Sequence, residues 1–307
     1  MIVMEKYGKI DSKAKALDYA IRDYELNTSD KVGFGYEIPD KEPRQNYLSN
    51  DSWKSFLKGM CPLHKAQFND GDGSELWQKK GRYGIYPPKM ASFGSSSRLI
   101  YRLSKDIDGF CFEKALPTRV GHTANLDGYC IGNVKDIYVE AKCREIYVSH
   151  KNNKISDVYK SVYNRIAELH PCFHYDFSPL VDDYSSITFY YDKKCIEHFD
   201  IKQLICHFLG ISANILDNNA NRNVSFVYLI FNPQFGTDFK SSSKVEKYYE
   251  SVNETYNETI AEIERLGDMK WLFDAVMRYQ CEHLEKDSVD YDFSFCLANQ
   301  NNYKNFF

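Results

Sequence analysis

Glu140 and Lys142 stand two apart in the run Asp136-Ile137-Tyr138-Val139-Glu140-Ala141-Lys142, whose β-branched and aromatic residues read as a strand. Strand side chains alternate, so Glu140 and Lys142 share one face while Val139 and Ala141 turn into the core on the other. The preceding extended segment carries Asp127, and a tight turn at Gly132-Asn133 would fold it back antiparallel, bringing a second carboxylate towards the first. Adjacent carboxylates repel unless a cation lies between them, and hard oxygen ligands suit Mg2+ or Mn2+. Such a cation polarises a phosphoryl oxygen and lowers the pKa of a bound water, while a neighbouring lysine orients that water or neutralises charge growing on the phosphate. The chemistry indicated is metal-assisted phosphodiester hydrolysis.

Asp/Glu-x-Lys spacing by itself is common. The chain holds six such matches, at Asp11/Lys13, Glu140/Lys142, Asp192/Lys194, Asp200/Lys202, Asp238/Lys240 and Asp268/Lys270. Asp11, Asp200, Asp238 and Asp268 fall at expected helix starts, where an acid complements the helix dipole. Asp192 ends a strand and enters a charged turn, with Asp182 and Asp183 as potential partners, which makes it the serious rival. Only Glu140 and Lys142 lie inside an apolar strand that follows a hairpin partner carrying an acid.

The elements that would position these residues follow from periodicity. A helix entered through Ser95 or Ser96 is expected up to residue 106, with Leu99, Ile100 and Leu103 inward. Three extended segments at 109–116, 125–132 and 136–143 suggest a β-meander. A helix over 156–169, a strand over 185–192 and a helix over 200–210 lead to 223–233, apolar on both sides as a covered central strand would be. Helices are also expected over 12–24 and 49–60, and in the C-terminal part over 244–266 and 269–284. The resulting expectation is an α/β protein with three regions: an N-terminal helical extension (1–70), a mixed-sheet core with helices on both faces (71–235), and a C-terminal helical segment packed on it (236–307).

Leu126-Asp127 followed by Glu140-Ala141-Lys142, set in the order helix, three strands, helix and later strand, resembles the PD-(D/E)XK nuclease superfamily, with its restriction-endonuclease-like α-β-β-β-α-β core. The flanking PPKMASFGSSSRLIYRL, FEKALP and LIFNP segments are similar to its putative restriction endonuclease branch. The resemblance covers residues 71–233. It implies that Asp127 and Glu140 bind Mg2+ (or Mn2+) and that Lys142 assists the attacking water in a DNA nuclease of restriction or repair type. Leu126 stands where the name-giving Pro would be, a position that varies freely. Members often add an acid from the first core helix; that helix has no Glu here, so Glu75 in the loop before it and Glu113 on the first strand are the expected replacements. The alternative is an inactive nucleic-acid-binding or protein-interaction module on the same fold.

Composition sets the outer limits. The 307 residues are 43% hydrophobic and 27% charged, the balance of an ordinary folded chain rather than a disordered one, and no apolar run is long enough for a membrane span or a secretory signal. A cytoplasmic protein is expected. Nine cysteines without CxxC spacing signal neither a disulfide framework nor a thiolate zinc site, and Pro171 interrupts the thin set His170, Cys172 and His174. The net charge of −4 hides a gradient: residues 76–160 hold 15 Lys/Arg against 8 Asp/Glu, and 240–292 hold 7 against 13. A basic middle suits a locally bound polyanion. Lys79, Lys80, Arg82, Arg119 and Arg144 are the expected DNA contacts, with Lys89, Lys151 and Lys154 nearby and Tyr83, Tyr86 and His122 available to stack. The acidic helix should lie away from them, against the sheet or against a second subunit in a homodimer.

Overall fold

The computed structural model describes residues 12–28, 33–39, 41–71, 74–81, 84–132, 134–179, 184–218, 222–233 and 243–307. Expectations for Asp11, Arg82, Tyr83, Asn133, Asp182, Asp183, Asp238 and Lys240 lie outside the described residues. Along the chain come α1 (Lys13–Thr28), the hairpin β1 (Phe34–Tyr36) and β2 (Arg44–Leu48), α2 (Asn50–Gly59), α3 (Pro62–Asp70), and a second hairpin of β3 (Lys79–Gly81) and β4 (Gly84–Tyr86). Next are α4 (Ser96–Ser104), β5 (Phe110–Pro117), β6 (Thr123–Ile131), β7 (Lys135–Lys142), β8 (Asn153–Ser156), α5 (Lys160–Leu169), β9 (Phe173–Pro179), β10 (Tyr184–Tyr191) and β11 (Lys194–Ile196). The remainder is α6 (Ile201–Asn218), β12 (Arg222–Ile230), α7 (Ser243–Leu266), α8 (Lys270–His283) and β13 (Tyr291–Ala298).

A mixed five-stranded sheet in the order β13-β12-β7-β6-β5 forms the centre. Strands β5, β6 and β7 make the expected antiparallel meander, and β12 then runs parallel to β7. The helix before the meander begins as its capping residue predicts: Ser95 Oγ accepts a hydrogen bond from Arg98 N at 3.2 Å. Apolar residues cover both faces. Val139, Ala141, Val227 and Leu229 pack with α4 and α1 on one side, while Tyr138, Phe226, Tyr228 and Ile230 pack with α6 and α8 on the other. This two-sided burial explains the near-continuous apolar reading of β12.

Three expectations change. The strand expected over 185–192 does not join the central sheet; as β10 it pairs with β8, β9 and β11 in a separate four-stranded sheet. The C-terminal segment, expected as helices only, also supplies β13, which adds to the central sheet parallel to β12. Likewise the N-terminal segment carries the β1–β2 hairpin beside its helices. No helix among the described residues is long and apolar enough to cross a membrane.

Candidate active site

The three strands of the meander are in register until they reach the candidate acids, and there the regular pattern breaks. Strands β6 and β7 pair from Ile131↔Asp136 to Gly128↔Val139 and no further. One residue on, Asp127 Oδ2 accepts the Ala141 N–H at 2.7 Å, so a side chain takes over the ladder bond where the strands part. On the other side β5 pairs with β6 through Phe112↔Gly128 and again through Lys114↔Leu126, leaving Glu113 opposite Asp127. Glu113 has φ +55°, a left-handed backbone that a strand residue rarely adopts. Phe112 packs on the α4 side of the sheet and Leu116 on the α6 side, so the strand changes face across Glu113. Gly128 fixes the other side of this kink, since a Cβ there would overlap the Phe110 ring and Ile100 of α4.

Glu140 and Lys142 then lie on a fully buried stretch of β7, at 3% and 5% exposure. Lys142 Nζ donates to Glu140 Oε1 at 2.6 Å and to Gln203 Oε1 at 2.6 Å, and Gln203 Nε2 donates to Glu140 Oε1 at 2.9 Å. The other carboxylate oxygen, Oε2, meets His207 Nε2 at 3.0 Å. Burial would raise the Glu140 pKa; the Lys142 ammonium and His207 outweigh it and hold the group down to about 2. Asp127 goes the other way. Burial and then the neighbouring Glu140 charge push its carboxyl well above the ordinary value, with Lys142 compensating only in part. For Lys142, burial opposes the charge, yet Glu140 keeps it firmly protonated. The reading that two carboxylates and a lysine gather on adjacent strands therefore corresponds to one coupled cluster.

All of them open into one cleft of about 740 Å3, which Glu75 and Glu113 also line. Glu75 is buried; its Oε1 meets Lys89 Nζ at 2.9 Å and its Oε2 has no hydrogen-bond partner. The expected basic residues divide. Arg144 lines the cleft, but its guanidinium is bound to both Asp18 oxygens, at 2.5 and 2.6 Å, and to Ser92 Oγ at 2.6 Å. Arg119 lies in a different depression, beside α8, where it pairs with Asp217 at 2.6 Å. Lys151 pairs with Glu197, and His122 stacks on Tyr159 outside the cleft. Lys79 and Lys80 are exposed on β3. The rival Asp192 sits at the β10–β11 turn with φ +48°, away from the cleft lining.

Sequence reasoning missed Gln203 and His207. Both project from α6, whose start Asp200 caps by accepting Gln203 N at 3.0 Å. The available signal was a pair of polar residues four apart, hence on one face, in the run Ile201 to Leu209, which is apolar apart from these two and Lys202.

As ligands, the carboxylate oxygens suit a hard divalent cation, and the buried Glu75 Oε2, which has no hydrogen-bond partner, suits a cation-accepting cleft. Among the described residues, however, no three His, Cys, Asp or Glu side chains are already arranged to hold a metal ion, which applies equally to His170, Cys172 and His174. No family model, curated protein or solved structure matches this chain.

Proposed function

We propose that the protein is a metal-dependent phosphodiesterase of the PD-(D/E)XK type that hydrolyses DNA. The observation that carries this reading is the joint placement of Asp127, Glu140 and Lys142, at the point where β6 leaves β7, in a cleft that holds two further acids. In this reading Asp127 and Glu140 would hold Mg2+ or Mn2+, with Glu75 or Glu113 as an added ligand, and the cation supplies Lewis acidity towards the phosphate and an acidified water. Lys142 stays charged, so it holds a negatively charged oxygen rather than acting as a base. Gln203 fixes the spacing of Glu140 and Lys142 by bonding to both. The raised pKa of Asp127 fits the same account, because the burial and the Glu140 charge that raise it are what a cation held between the two carboxylates would offset.

That no three ligating side chains among the described residues are already grouped for a metal ion favours a second reading, an inactive nucleic-acid-binding module. The deciding experiment is nicking of supercoiled plasmid with and without Mg2+ or Mn2+, by the wild type and by Glu140→Ala. Metal-dependent nicking lost in the variant is the expected result. No nicking with either metal, or equal nicking by the variant, overturns the nuclease assignment.

A further inference from the structure

The described residues of 76–81 and 84–88 leave the cleft wall and return to it at the same place. Lys89 N donates to Ser74 O and Met90 N to Glu75 O, each at 3.1 Å, and Lys89 Nζ pairs with Glu75 Oε1. The excursion is therefore pinned at its base by residues of the cleft itself. Its ends are buried at 74–76 and 87–88, and the described residues from Trp77 to Lys80, with Ile85 and Tyr86, are exposed. Strands β3 and β4 pair Lys79 with Tyr86 and Lys80 with Ile85, which puts Lys79 beside Tyr86 on one face of a narrow arm and Lys80 beside Ile85 on the other.

Trp77 is 53% exposed, Ile85 41% and Tyr86 37%. Large apolar side chains at that exposure on one short arm mark contact surfaces. Trp77 is also held: its Nε1 donates to Asn69 Oδ1 at 2.7 Å, which fixes the indole while leaving ring surface open. Gln78 ties the base of the arm to Tyr36 Oη at 3.1 Å, and the Arg44 guanidinium lies 6.0 Å from the Tyr86 ring centroid. A fixed indole loses little freedom on stacking, and lysines beside it neutralise phosphates.

Resting on the nuclease reading above, we infer that this arm binds a nucleic-acid strand with unpaired bases and feeds it to the cleft, through stacking on Trp77 and Tyr86 and phosphate contacts from Lys79 on the same face, with Lys80 adding positive charge from the other. Every base has a π-face, so the arm takes strands without regard to sequence, and a base already paired and stacked in a duplex offers it less. Blunt duplex should be the poorer ligand.

Trp77 reports on its own occupancy. The probes are short oligo(dT) and a blunt duplex of equal length, added to the full chain in metal-free buffer so that nothing is cut. Tryptophan emission should be quenched by oligo(dT) in the wild type, and the quench should vanish in Trp77→Phe. Trp77→Ala/Tyr86→Ala should weaken oligo(dT) binding by about tenfold or more, and duplex binding much less. Lys79→Gln/Lys80→Gln should lower the slope of log affinity on log salt by about one unit. Equal melting temperatures exclude misfolding, since these side chains are exposed. An unquenched Trp77 with unchanged oligo(dT) affinity in the double variant overturns the arm while leaving plasmid nicking, and so the nuclease reading, intact. Quenching without metal-dependent nicking keeps the arm and discards the nuclease. Self-association abolished by Trp77→Ala, with no effect on oligo(dT), reassigns the surface to a second copy of the chain and also overturns the inference.

Discussion

Glu25 and Glu140 are both buried glutamates facing buried cations, and they differ in what is left over. Arg98 grips both oxygens of Glu25, at 2.9 and 2.5 Å, and Arg102 adds a contact at 3.0 Å. Burial would raise its pKa, but the two guanidiniums outweigh that and lower it. Glu140 places Lys142 and Gln203 on one oxygen and meets only the His207 imidazole with the other, and its charge helps drive up the pKa of Asp127. A planar guanidinium saturates a carboxylate, whereas an ammonium does not. The first cluster is complete and ties α1 to α4. In the second, one oxygen of Glu140 meets only an imidazole and its charge helps drive up the Asp127 pKa, a cost that a purely structural pair would have no reason to carry.

The largest expected effect separates the two by activity. Glu140→Ala and Lys142→Ala should each reduce metal-dependent nicking by a factor of about 10² or more, while Glu25→Gln, in the fraction that remains folded, should cut at near the wild-type rate. A Glu25→Gln protein that is folded yet inactive would break the contrast.

Stability should rank them in the opposite order. Glu25→Gln strands Arg98 in the interior without its counter-charge and should cost about 3 kcal/mol in urea unfolding. Glu140→Gln should cost less, because it also removes the repulsion on Asp127. A larger loss from Glu140→Gln would show that the site pair is the main structural tie.

The pH dependence sharpens the point. Asp127 titrates in the folded chain well above its ordinary 3.8, so the stability it contributes is complete below that value and is lost as pH rises through the folded pKa. Glu140 behaves inversely: its contribution is present above 4.5 and lost as pH falls towards about 2. Asp127→Asn should therefore gain stability relative to the wild type as pH rises from about 4 to about 8, read from melting temperatures. In the wild type Mg2+ should raise the melting temperature more at the upper end, since the cation competes with the Asp127 proton. A Mg2+ effect independent of pH, or equal in Asp127→Asn, would contradict the metal role.

How far the sequence reveals this site depends on range. Alternation in β7 puts Glu140 and Lys142 on one face, and the turn after β6 brings Asp127 back to them; both are local signals. Ser95 reveals the start of α4 in the same way. The pairing of β13 with β12 is not local, because two helices intervene and an edge strand such as YDFSFCLA needs its partner to be recognised. The same holds for β10, whose alternation is that of a strand in any sheet. Arg119 and Arg144 look like free charge in the chain, but Asp217 and Asp18, distant in sequence, neutralise them. The left-handed Glu113 leaves no mark in residue type.

The smallest expected effect concerns binding without cleavage, and it tests whether the site faces phosphates at all. Glu140→Ala removes a charge that the low pKa keeps negative at every working pH, so in metal-free buffer it should hold DNA at least as tightly as the wild type. Lys142→Ala removes the cation and should hold it several-fold less tightly. Both differences should shrink as salt rises, because screening weakens the cleft's field and counterion release weakens the whole complex. Asp192→Ala and Lys194→Ala, at the β10–β11 turn, should change neither binding nor cleavage. If Asp192→Ala abolishes nicking while Glu140→Ala leaves it intact, Glu140 is not a ligand position, and the active site belongs to the four-stranded sheet instead of the central one.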